Sequence, residues 1–440
     1  MIGLLALSCT DLSTPPTPPS PEITEITASL VEGLETVIAV SWAQSRGAPA
    51  HLVFRAEGGP WQQSPPGTPR DGLVHQLIVG VPFDREIEYQ IVAPSGEASD
   101  AQWITTGARP ETLPVPIVLH NDPGLWDPAS PWLITSMNRD GDDRYGRWWI
   151  FIMDREGQIV WAQETPRSWV SRHVSVDHDG RALLVDHDTF WTQLDGGATS
   201  QIVRMTLDGT IEHTYDTPGL HHPFVPLPDG VIAWGAARGN DETLEQVDRD
   251  GVQEQIWACS FFQGITDTSY TCGSNALWWD ERTDHFLFSF WSTDTVVEID
   301  RPSGTAVRWF GDLPGSWRFD PPKSQFWWQH GALFTDEGTL LVSTKDQQQG
   351  TETVVREYQL DEQTETLTEI WSFGQGRGVF GPYMGEAHRL SNGNTLHVYG
   401  AGGQLTEATP DGSVAWEVTW EGDKHNGRTT PWADLYALLP

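Results

Sequence analysis

Two patterns of alternating apolar and polar positions recur along the chain after residue 113. The first is an acidic turn followed by a strand that ends in an aromatic residue, as in "MDREGQIVW". Its six copies end at Trp161, Tyr215, Trp257, Trp309, Trp371 and Trp416. Period-2 alternation bounded by Asp-Gly turns predicts β-hairpins. We interpret the repeated tryptophans as structural residues that pack between neighbouring units.

In the second pattern a polar residue leads a strand, a turn and a second strand, as in "QHGALFTDEGTLLVST". Five copies begin near His173, His222, Asn275, His330 and His388, and we place a degenerate first copy in "PWLITSMNRDGDDRYGRWWIFI". A period of roughly 50 residues with about four strands per unit is typical of a β-propeller, and six units fit residues 113–440. The inner strand of each propeller blade lines the central channel. We therefore expect the leading histidines to converge at one end of that channel.

The N-terminal part of the chain has a different pattern. Residues 22–108 contain short alternating runs between Gly/Pro turns, which predict a small β-sandwich that resembles a fibronectin type III domain. We expect it to act as a spacer or docking platform. The predicted organisation is an all-β chain with a tether at 1–21, the sandwich at 22–108 and a six-bladed β-propeller at 109–440.

Composition agrees with this class and narrows the partners. The 23 Trp, 43 Gly and 31 Pro favour many short strands joined by tight turns. A formal net charge of −35 repels nucleic acid and anionic membrane surfaces, so we expect neither DNA nor RNA as a partner. An anionic substrate then needs a few basic groups that outweigh this charge locally.

The first residues, "MIGLLALSCTDLSTPPTPPSPE", resemble a bacterial lipoprotein signal in which Cys9 becomes the lipidated residue. This predicts an exported protein, periplasmic or on the cell surface, that meets the membrane only through a lipid anchor; the alternative is an ordinary disordered start. With Cys9 acylated, Cys259 and Cys272 remain, either as a disulfide or as two buried thiols.

Histidines gathered in a channel suit several chemistries, because imidazole can be a metal ligand, an acid/base group or a nucleophile near neutral pH. The stretch "DHDGRALLVDHD", from Asp177 to Asp188, has the residue types of a metal motif but also repeats the ordinary turn-and-strand pattern. We predict no metal, and keep a metal-dependent hydrolase or lyase as an alternative.

The stretch from about 220 to 420 carries a resemblance. Its phrases "HHPFVPLPDG", "NALWWDERTDHFLFSFW", "WWQHGALFTDEGTLLVSTKD" and "AHRLSNGNTLHVYGAGG" resemble, in order, those of the arylsulfotransferase family of bacterial aryl-sulfate sulfotransferases. The resemblance implies a six-bladed propeller behind a β-sandwich. It also implies sulfuryl transfer from a phenolic sulfate donor to a phenol acceptor through a sulfohistidine, without a cofactor. The acidic-turn phrase is also similar to quinoprotein repeats, but those propellers normally need eight blades and a longer chain.

Residue by residue, the resemblance makes His330 the nucleophile and His222 an assisting acid/base. Gly273 and Trp291 stand where the family has a histidine and an arginine. We expect His173, Asn275, His388 and Lys345 to line the channel, with Lys345, Arg172 or Arg389 replacing the missing cation. The function predicted is a sulfotransferase with chemistry altered or weakened by these two substitutions; the alternative is a non-catalytic binding or adhesion module of the cell envelope.

Overall fold

The fold is all-β, as the sequence predicts. The computed structural model of the protein describes residues 22–45, 49–139, 147–166, 169–189, 199–239, 241–266, 269–422 and 424–440. Within them lie 33 strands, the α-helix α1 (Cys259–Thr266) and short 3-10 helices at Pro228–Gly230, Trp291–Thr293, Pro322–Ser324, Gly400–Gly402 and Leu435–Leu438. None of the described helices is long and apolar enough to cross a bilayer.

The chain divides into two compact units, and the described part of the first falls within Met1–Ser29, Ile38–Ile78 and Arg85–Thr105. Its sheets have the orders β1-β2-β5 and β4-β3-β6-β7. The strands are β1 (Ile23–Val31), β2 (Leu34–Gln44), β3 (His51–Ala56), β4 (Gln62–Gln63), β5 (Leu73–Ile78), β6 (Glu86–Val92) and β7 (Gln102–Thr105). In β6, buried residues alternate with more exposed ones, as expected for a sheet with one face on a core. The fibronectin type III resemblance and the boundary at residue 108 stay predictions.

The second unit contains six sheets of four or five strands. Sheets 1 to 3 have the orders β11-β10-β9-β33, β12-β13-β14-β15 and β16-β17-β18-β19. Their strands are β9 (Trp132–Asn138), β10 (Trp148–Met153), β11 (Ile159–Glu164), β33 (Asn426–Trp432), β12 (Val174–Val176), β13 (Leu183–His187), β14 (Gln201–Met205), β15 (Ile211–Asp216), β16 (Leu220–Pro226), β17 (Ile232–Arg238), β18 (Asp241–Val247) and β19 (Gln253–Ala258).

Sheets 4 to 6 have the orders β20-β21-β22-β23, β24-β28-β27-β26-β25 and β29-β30-β31-β32-β8. Their strands are β20 (Ser274–Asp280), β21 (His285–Phe290), β22 (Thr295–Asp300), β23 (Thr305–Gly311), β24 (Arg318–Asp320), β25 (Trp327–Phe334), β26 (Leu340–Lys345), β27 (Thr353–Asp361), β28 (Thr366–Phe373), β29 (Glu386–Arg389), β30 (Thr395–Val398), β31 (Gln404–Ala408), β32 (Val414–Trp420) and β8 (Pro116–Asn121). Neighbouring strands in these sheets are antiparallel except β24 and β28, which are parallel.

One edge strand from each sheet lies beside the edge strand of a neighbouring sheet, and we call β33, β12, β16, β20, β25 and β29 the lead strands. The side-chain amide of Asn275 in β20 donates to the carbonyl of Gln329 in β25 at 2.6 Å. Between β25 and β29 the backbones approach so closely that a Cβ atom at Gly331 would lie 2.8 Å from the Cα atom of Glu386. Glycine at 331 is therefore what allows these two lead strands to touch.

The sixth lead strand comes from the C-terminal end of the chain. We predicted a degenerate lead strand in residues 131–152, but the strands described in this stretch are β9 and β10, which occupy the middle of sheet 1. The edge position is taken by β33, which pairs antiparallel with β9. The prediction was wrong because the last strand of the chain completes the first sheet.

Indole groups of the repeated acidic-turn phrase join neighbouring sheets. Trp161 of sheet 1 donates to the carbonyl of Leu207, which follows β14 of sheet 2, at 2.8 Å. Trp371 of sheet 5 donates to the backbone carbonyl oxygen of Pro410, between β31 and β32 of sheet 6, at 3.0 Å. Trp416 of sheet 6 donates to the backbone carbonyl oxygen of Arg155, between β10 and β11 of sheet 1, at 2.6 Å. These bonds between sheets explain why an aromatic residue with a polar N–H recurs at this position.

Candidate functional site

The candidate site lies where the lead strands depart from regular pairing. The strand register shifts between Leu220 and Phe224 in β16, and between Trp327 and Gly331 in β25. Two further lead strands shift at the corresponding place, between Ser274 and Ala276 in β20 and between Asn426 and Thr429 in β33. Such bulges turn side chains away from the positions that a regular strand would give them. His222, Asn275, His330 and Arg428 all lie inside these irregular segments.

Arg428 connects four of the lead strands. Its Nη1 atom donates to the Oε2 atom of Glu386 in β29 at 2.8 Å. Its Nη2 atom donates to the carbonyl oxygens of Asn275 in β20 at 3.0 Å and of His330 in β25 at 3.2 Å. A guanidinium group has the fixed fork of donors that such simultaneous contacts need. Arg428, which the sequence pattern did not single out, is thus the cation at the meeting point of the lead strands.

Glu386 is the counter-charge of this arginine. Its Oε1 atom accepts the backbone N–H of Thr429 at 2.6 Å and lies 3.3 Å from Nε2 of His388. Burial alone would raise the pKa of Glu386, but the charges of His388 and Arg428 outweigh this effect and lower the pKa to about 2. The carboxyl group is therefore ionised at any physiological pH.

The imidazole of His330 has a defined tautomer. Its Nδ1 atom lies 2.9 Å from the carbonyl oxygen of Trp328. Because a carbonyl oxygen only accepts, Nδ1 must carry the proton, and the Nε2 atom of the neutral ring keeps its lone pair. Desolvation, with further contributions from the charges of Arg428 and Lys345, lowers the pKa of His330 to about 4. Near neutral pH, His330 therefore presents an unprotonated ring nitrogen, which is the form a nucleophile requires.

His222 belongs to a chain of three polar groups. Its Nδ1 atom lies 2.8 Å from Nδ1 of His221, and Nε2 of His221 lies 2.8 Å from Oε1 of Glu242. The hydroxyl of Ser274 donates to the same carboxylate oxygen. Both His221 and Glu242 are buried. The sequence pattern predicted His222 but missed the two groups behind it.

The charges around His222 disfavour a second proton on its ring. Desolvation lowers the pKa of His222 well below the ordinary histidine value. The neighbouring His221, Arg172, His330 and Arg428 lower it further. Because a charge on His330 lowers the pKa of His222, these two predicted catalytic residues interact electrostatically.

The other two predicted histidines line a different space. His173 and His388 border a cavity of about 340 Å³, whose wall includes Phe224, Trp278 and Arg428. His330 instead borders a narrow crevice together with Trp328 and Lys345. Of the four histidines, His173 and His388 therefore share one cavity, whereas His330 borders a separate crevice.

Lys345 supplies a positive charge beside His330. Its ammonium group lies 3.7 Å from the ring centre of Trp328, a cation–π contact. Trp328 has a left-handed backbone conformation, with φ 50°, and its N–H donates to Oδ1 of Asp294 at 2.6 Å. A large residue in this conformation is strained, and such strain is concentrated at functional sites.

The two positions that differ from the family pattern touch each other. A Cβ atom at Gly273 would lie 2.9 Å from Nε1 of Trp291. The indole of Trp291 also meets that of Trp328 edge to face, with ring centres 6.0 Å apart, and both are about two-fifths exposed, at 41% and 42%. Trp291 thus fills the space that a side chain at 273 would need, and packs against Trp328, which borders the same crevice as His330.

The remaining arginines proposed as replacement cations differ in position. Arg172 is buried, and its charge acts on His222. Arg389 forms an ion pair with Glu357 of β27, and its guanidinium lies 5.3 Å from the ring centre of Trp371. The suggestion that Arg389 replaces the channel cation is therefore wrong, since this side chain is held against sheet 5.

Outside the lead strands, Cys259 and Cys272 are joined by a disulfide that ties α1 to the start of β20. Cys9 lies outside the described residues. In the stretch from Asp177 to Asp188, Asp177 pairs with Arg204, and Asp186 accepts the backbone N–H groups of Arg172 and His173. Across the described residues, no three His, Cys, Asp or Glu side chains are grouped closely enough to hold a metal ion.

Fold and site together define an all-β protein whose antiparallel sheets gather histidines, arginine and carboxylate at one meeting point. Residues 273–430 match the model of the arylsulfotransferase (ASST) family. This segment includes His330, Glu386 and Arg428. The family resemblance predicted from the sequence is confirmed over these residues, and the chain is arylsulfotransferase-like there.

Comparisons with whole proteins give only remote likenesses. No curated protein matches the chain. A protein of unknown function from Bacteroides caccae is 17% identical, with 69% of this chain and 99% of that chain covered and a TM-score of 0.47. Virginiamycin B lyase from Staphylococcus aureus is 12% identical, with 68% and 99% covered and a TM-score of 0.40. A protein from Lactobacillus plantarum is 12% identical, with 86% and 99% covered and a TM-score of 0.41.

Proposed function

We propose that this protein transfers a sulfuryl group from a phenolic sulfate to a phenol through a sulfohistidine on His330. The observation that carries the proposal is the bond from Nδ1 of His330 to the carbonyl of Trp328, which leaves Nε2 as the reactive nitrogen. The family match over residues 273–430 supports the reaction class. Trp291 and Trp328 suit an aromatic substrate, because stacked rings bind by both area and geometry.

In the first half-reaction Nε2 of His330 attacks sulfur, the new N–S bond forms, and the S–O bond to the phenol breaks. The electron pair leaves on the phenolate oxygen, which receives a proton from His222. In the second half-reaction the oxygen of the acceptor phenol attacks sulfur, its proton passes to His222, and the N–S bond breaks. Lys345, beside Trp328, is the cation that stabilises the sulfuryl oxygens in both steps.

We also propose a domain organisation and a location for the protein. The six sheets and the indole bonds from sheet 6 back to sheet 1 support a six-bladed β-propeller. The seven strands before it support a small sandwich of the fibronectin type III kind. We propose a location in the bacterial periplasm or on the cell surface, with Cys9 lipidated, on the basis of the sequence pattern alone.

The test is release of 4-nitrophenolate from 4-nitrophenyl sulfate by the full chain, with phenol as acceptor. We expect turnover that requires phenol and falls at least 10³-fold in His330→Ala, because removing a covalent nucleophile commonly costs this much or more. His213→Ala is the matched control, since this half-buried imidazole lies on β15 and packs against Tyr215. Intact-mass measurement without acceptor should show one added sulfuryl group in the wild type and none in His330→Ala.

The contrary result is equally clear. Folded protein that releases no phenol from a panel of phenyl sulfates, and carries no sulfuryl adduct, would rule out the transferase. The protein would then be a non-catalytic binding module of the cell envelope.

A further inference from the structure

Glu242, His221 and His222 form a hydrogen-bonded chain that ends at a buried carboxylate. Glu242 lies on β18, whereas both histidines lie on β16, so the contact crosses from one edge of sheet 3 to its third strand. The carboxylate is 3% exposed and His221 is 5% exposed. An ionised carboxyl group buried to this degree needs a hydrogen-bonded or positively charged partner. His221 and Ser274 are the partners that it has.

The bonds allow two protonation states. Since the carboxylate accepts, Nε2 of His221 carries a proton in both. With His221 neutral, its Nδ1 accepts the proton on Nδ1 of His222, and Nε2 of His222 is a base. With one more proton, His221 is an imidazolium that donates from Nδ1 to His222, and Nε2 of His222 then carries a proton that it can give away.

We infer that Glu242 and His221 store the proton that His222 delivers, and that this store suits the enzyme to donors whose phenol is only weakly acidic. The inference rests on the proposed sulfuryl transfer and names its substrate class. Such donors need the proton, because a basic phenolate is a poor leaving group. Glu242 and His221 are positioning residues here, since they act through His222.

The placement of charge explains why the proton is stored one residue away from the substrate. His222 faces Arg172, Arg428, His330 and His221, all of which oppose a second proton on its own ring. His221 faces the carboxylate of Glu242 at 2.8 Å, where the imidazolium is compensated. The 2.8 Å contact with Glu242 therefore favours His221 as the group that passes a proton to His222 when the leaving oxygen accepts one.

The proton count closes over a full cycle. When the donor phenolate leaves, Nε2 of His222 gives it a proton while Nδ1 of His221 passes one to Nδ1 of His222. When the acceptor phenol attacks the sulfohistidine, its proton goes to Nε2 of His222, and the proton on Nδ1 of His222 returns to His221. The acceptor phenol thus returns the proton that the next donor phenolate takes up, and no further reactant is needed.

The test compares two donors in the Glu242→Gln variant. Phenyl sulfate releases a phenol with a pKa of about 10, like that of tyrosine, whereas 4-nitrophenyl sulfate releases a much more acidic phenol. The kcat/KM for the donor reports the first half-reaction alone, because the mechanism is ping-pong. General acid catalysis typically contributes about 10²-fold or more. We expect Glu242→Gln to lose about 10²-fold with phenyl sulfate and only a few-fold with 4-nitrophenyl sulfate.

Two further variants separate this effect from general damage. Glu245→Gln is the matched control, because Glu245 is a buried carboxylate of the same strand that pairs with Arg238 instead; it should not change the ratio between the donors. His221→Gln keeps a donor for Glu242 but cannot hold an extra proton, so it should show the same selective loss as Glu242→Gln.

The outcomes are distinguishable. An equal loss with both donors in Glu242→Gln and His221→Gln, from a wild type that is active, would overturn the proton store and leave the transferase intact. A wild type that releases neither phenol would overturn the transferase, and the inference with it.

Discussion

The Nδ1 atom of His330 lies 2.9 Å from the carbonyl oxygen of Trp328, a residue held at φ 50°. A hydrogen bond between residues this close in sequence is possible because the bulge between Trp327 and Gly331 frees both from the ladder. The bond fixes the tautomer, and desolvation lowers the pKa of the ring to about 4.

The pH dependence of the first half-reaction follows from this pKa. Protonation of His330 removes the lone pair on Nε2, so activity is lost as pH falls through the pKa. With 4-nitrophenyl sulfate, kcat/KM should stay level above this value and fall roughly tenfold per pH unit below it. A midpoint near the ordinary histidine pKa of about 6.5 would contradict the assignment of His330.

Lys345 should act as the cation that the family places at position 291. Replacing Lys345 with alanine should lower kcat/KM for the donor by about 10²-fold, because one preorganised electrostatic partner is commonly worth that much. Lys345→Arg should retain most of the activity. Lys323→Ala is the control, since this exposed lysine lies in the short helix Pro322–Ser324. A loss in Lys345→Ala no larger than in Lys323→Ala would exclude the role.

Arg428 and Glu386 should depend on each other for stability. Both side chains are largely buried, at 12% and 8% exposed, so removing one leaves an uncompensated charge. Arg428→Gln and Glu386→Gln should each lower the free energy of unfolding by about 3–5 kcal/mol, and the double variant by less than their sum. Denaturant titrations followed by tryptophan fluorescence measure the free energy of unfolding of the wild type, the two single variants and the double variant. Additive losses would show that the pair is not coupled.

The same pair gives the protein resistance to acid. A carboxyl group whose pKa is lowered in the folded state stabilises the fold above its ordinary pKa, and this contribution disappears as pH falls toward the folded value, about 2 for Glu386. Without Arg428 the loss should begin at a higher pH. Unfolding of Arg428→Gln at the same pH as the wild type, after correction for its lower stability, would contradict this.

The contact between Gly273 and Trp291 predicts how the family pattern can be restored. Gly273→His alone should destabilise the protein by about 1–3 kcal/mol, because its Cβ atom meets the indole and overpacks the site. Adding Trp291→Arg removes the indole and should recover much of that stability. Thermal unfolding of the two single variants and the double variant measures this, and losses that simply add would refute the steric explanation.

The repeat pattern predicted much of the site because each lead strand is followed by its own hairpin partner in the sequence. It pointed to His173, His222, Asn275, His330 and His388 as candidate site residues. Arg428 was missed because its partner β9 precedes it by most of the chain, so no turn and second strand follow it. The strand "NGRTTPW" is apolar only in part and gives no signal without that distant partner.

His221 was missed for another reason. In a regular strand, neighbours such as His221 and His222 point to opposite faces, so a pattern of alternate residues selects only one of them. The bulge in β16 brings their Nδ1 atoms within 2.8 Å of each other. Glu242 could not be found by spacing either, since β17 separates its strand from β16.

The pairing of β33 with β9 also sets when the site can exist. During synthesis, sheets 2 to 5 are complete in the emerging polypeptide long before Arg428 leaves the ribosome, and sheet 1 stays one strand short until then. Closing so long a stretch of chain is slow compared with forming the local hairpins. The nascent protein therefore carries His330 without the arginine that links its strand to the others, and the centre can assemble only after β33 has been made and has paired with β9.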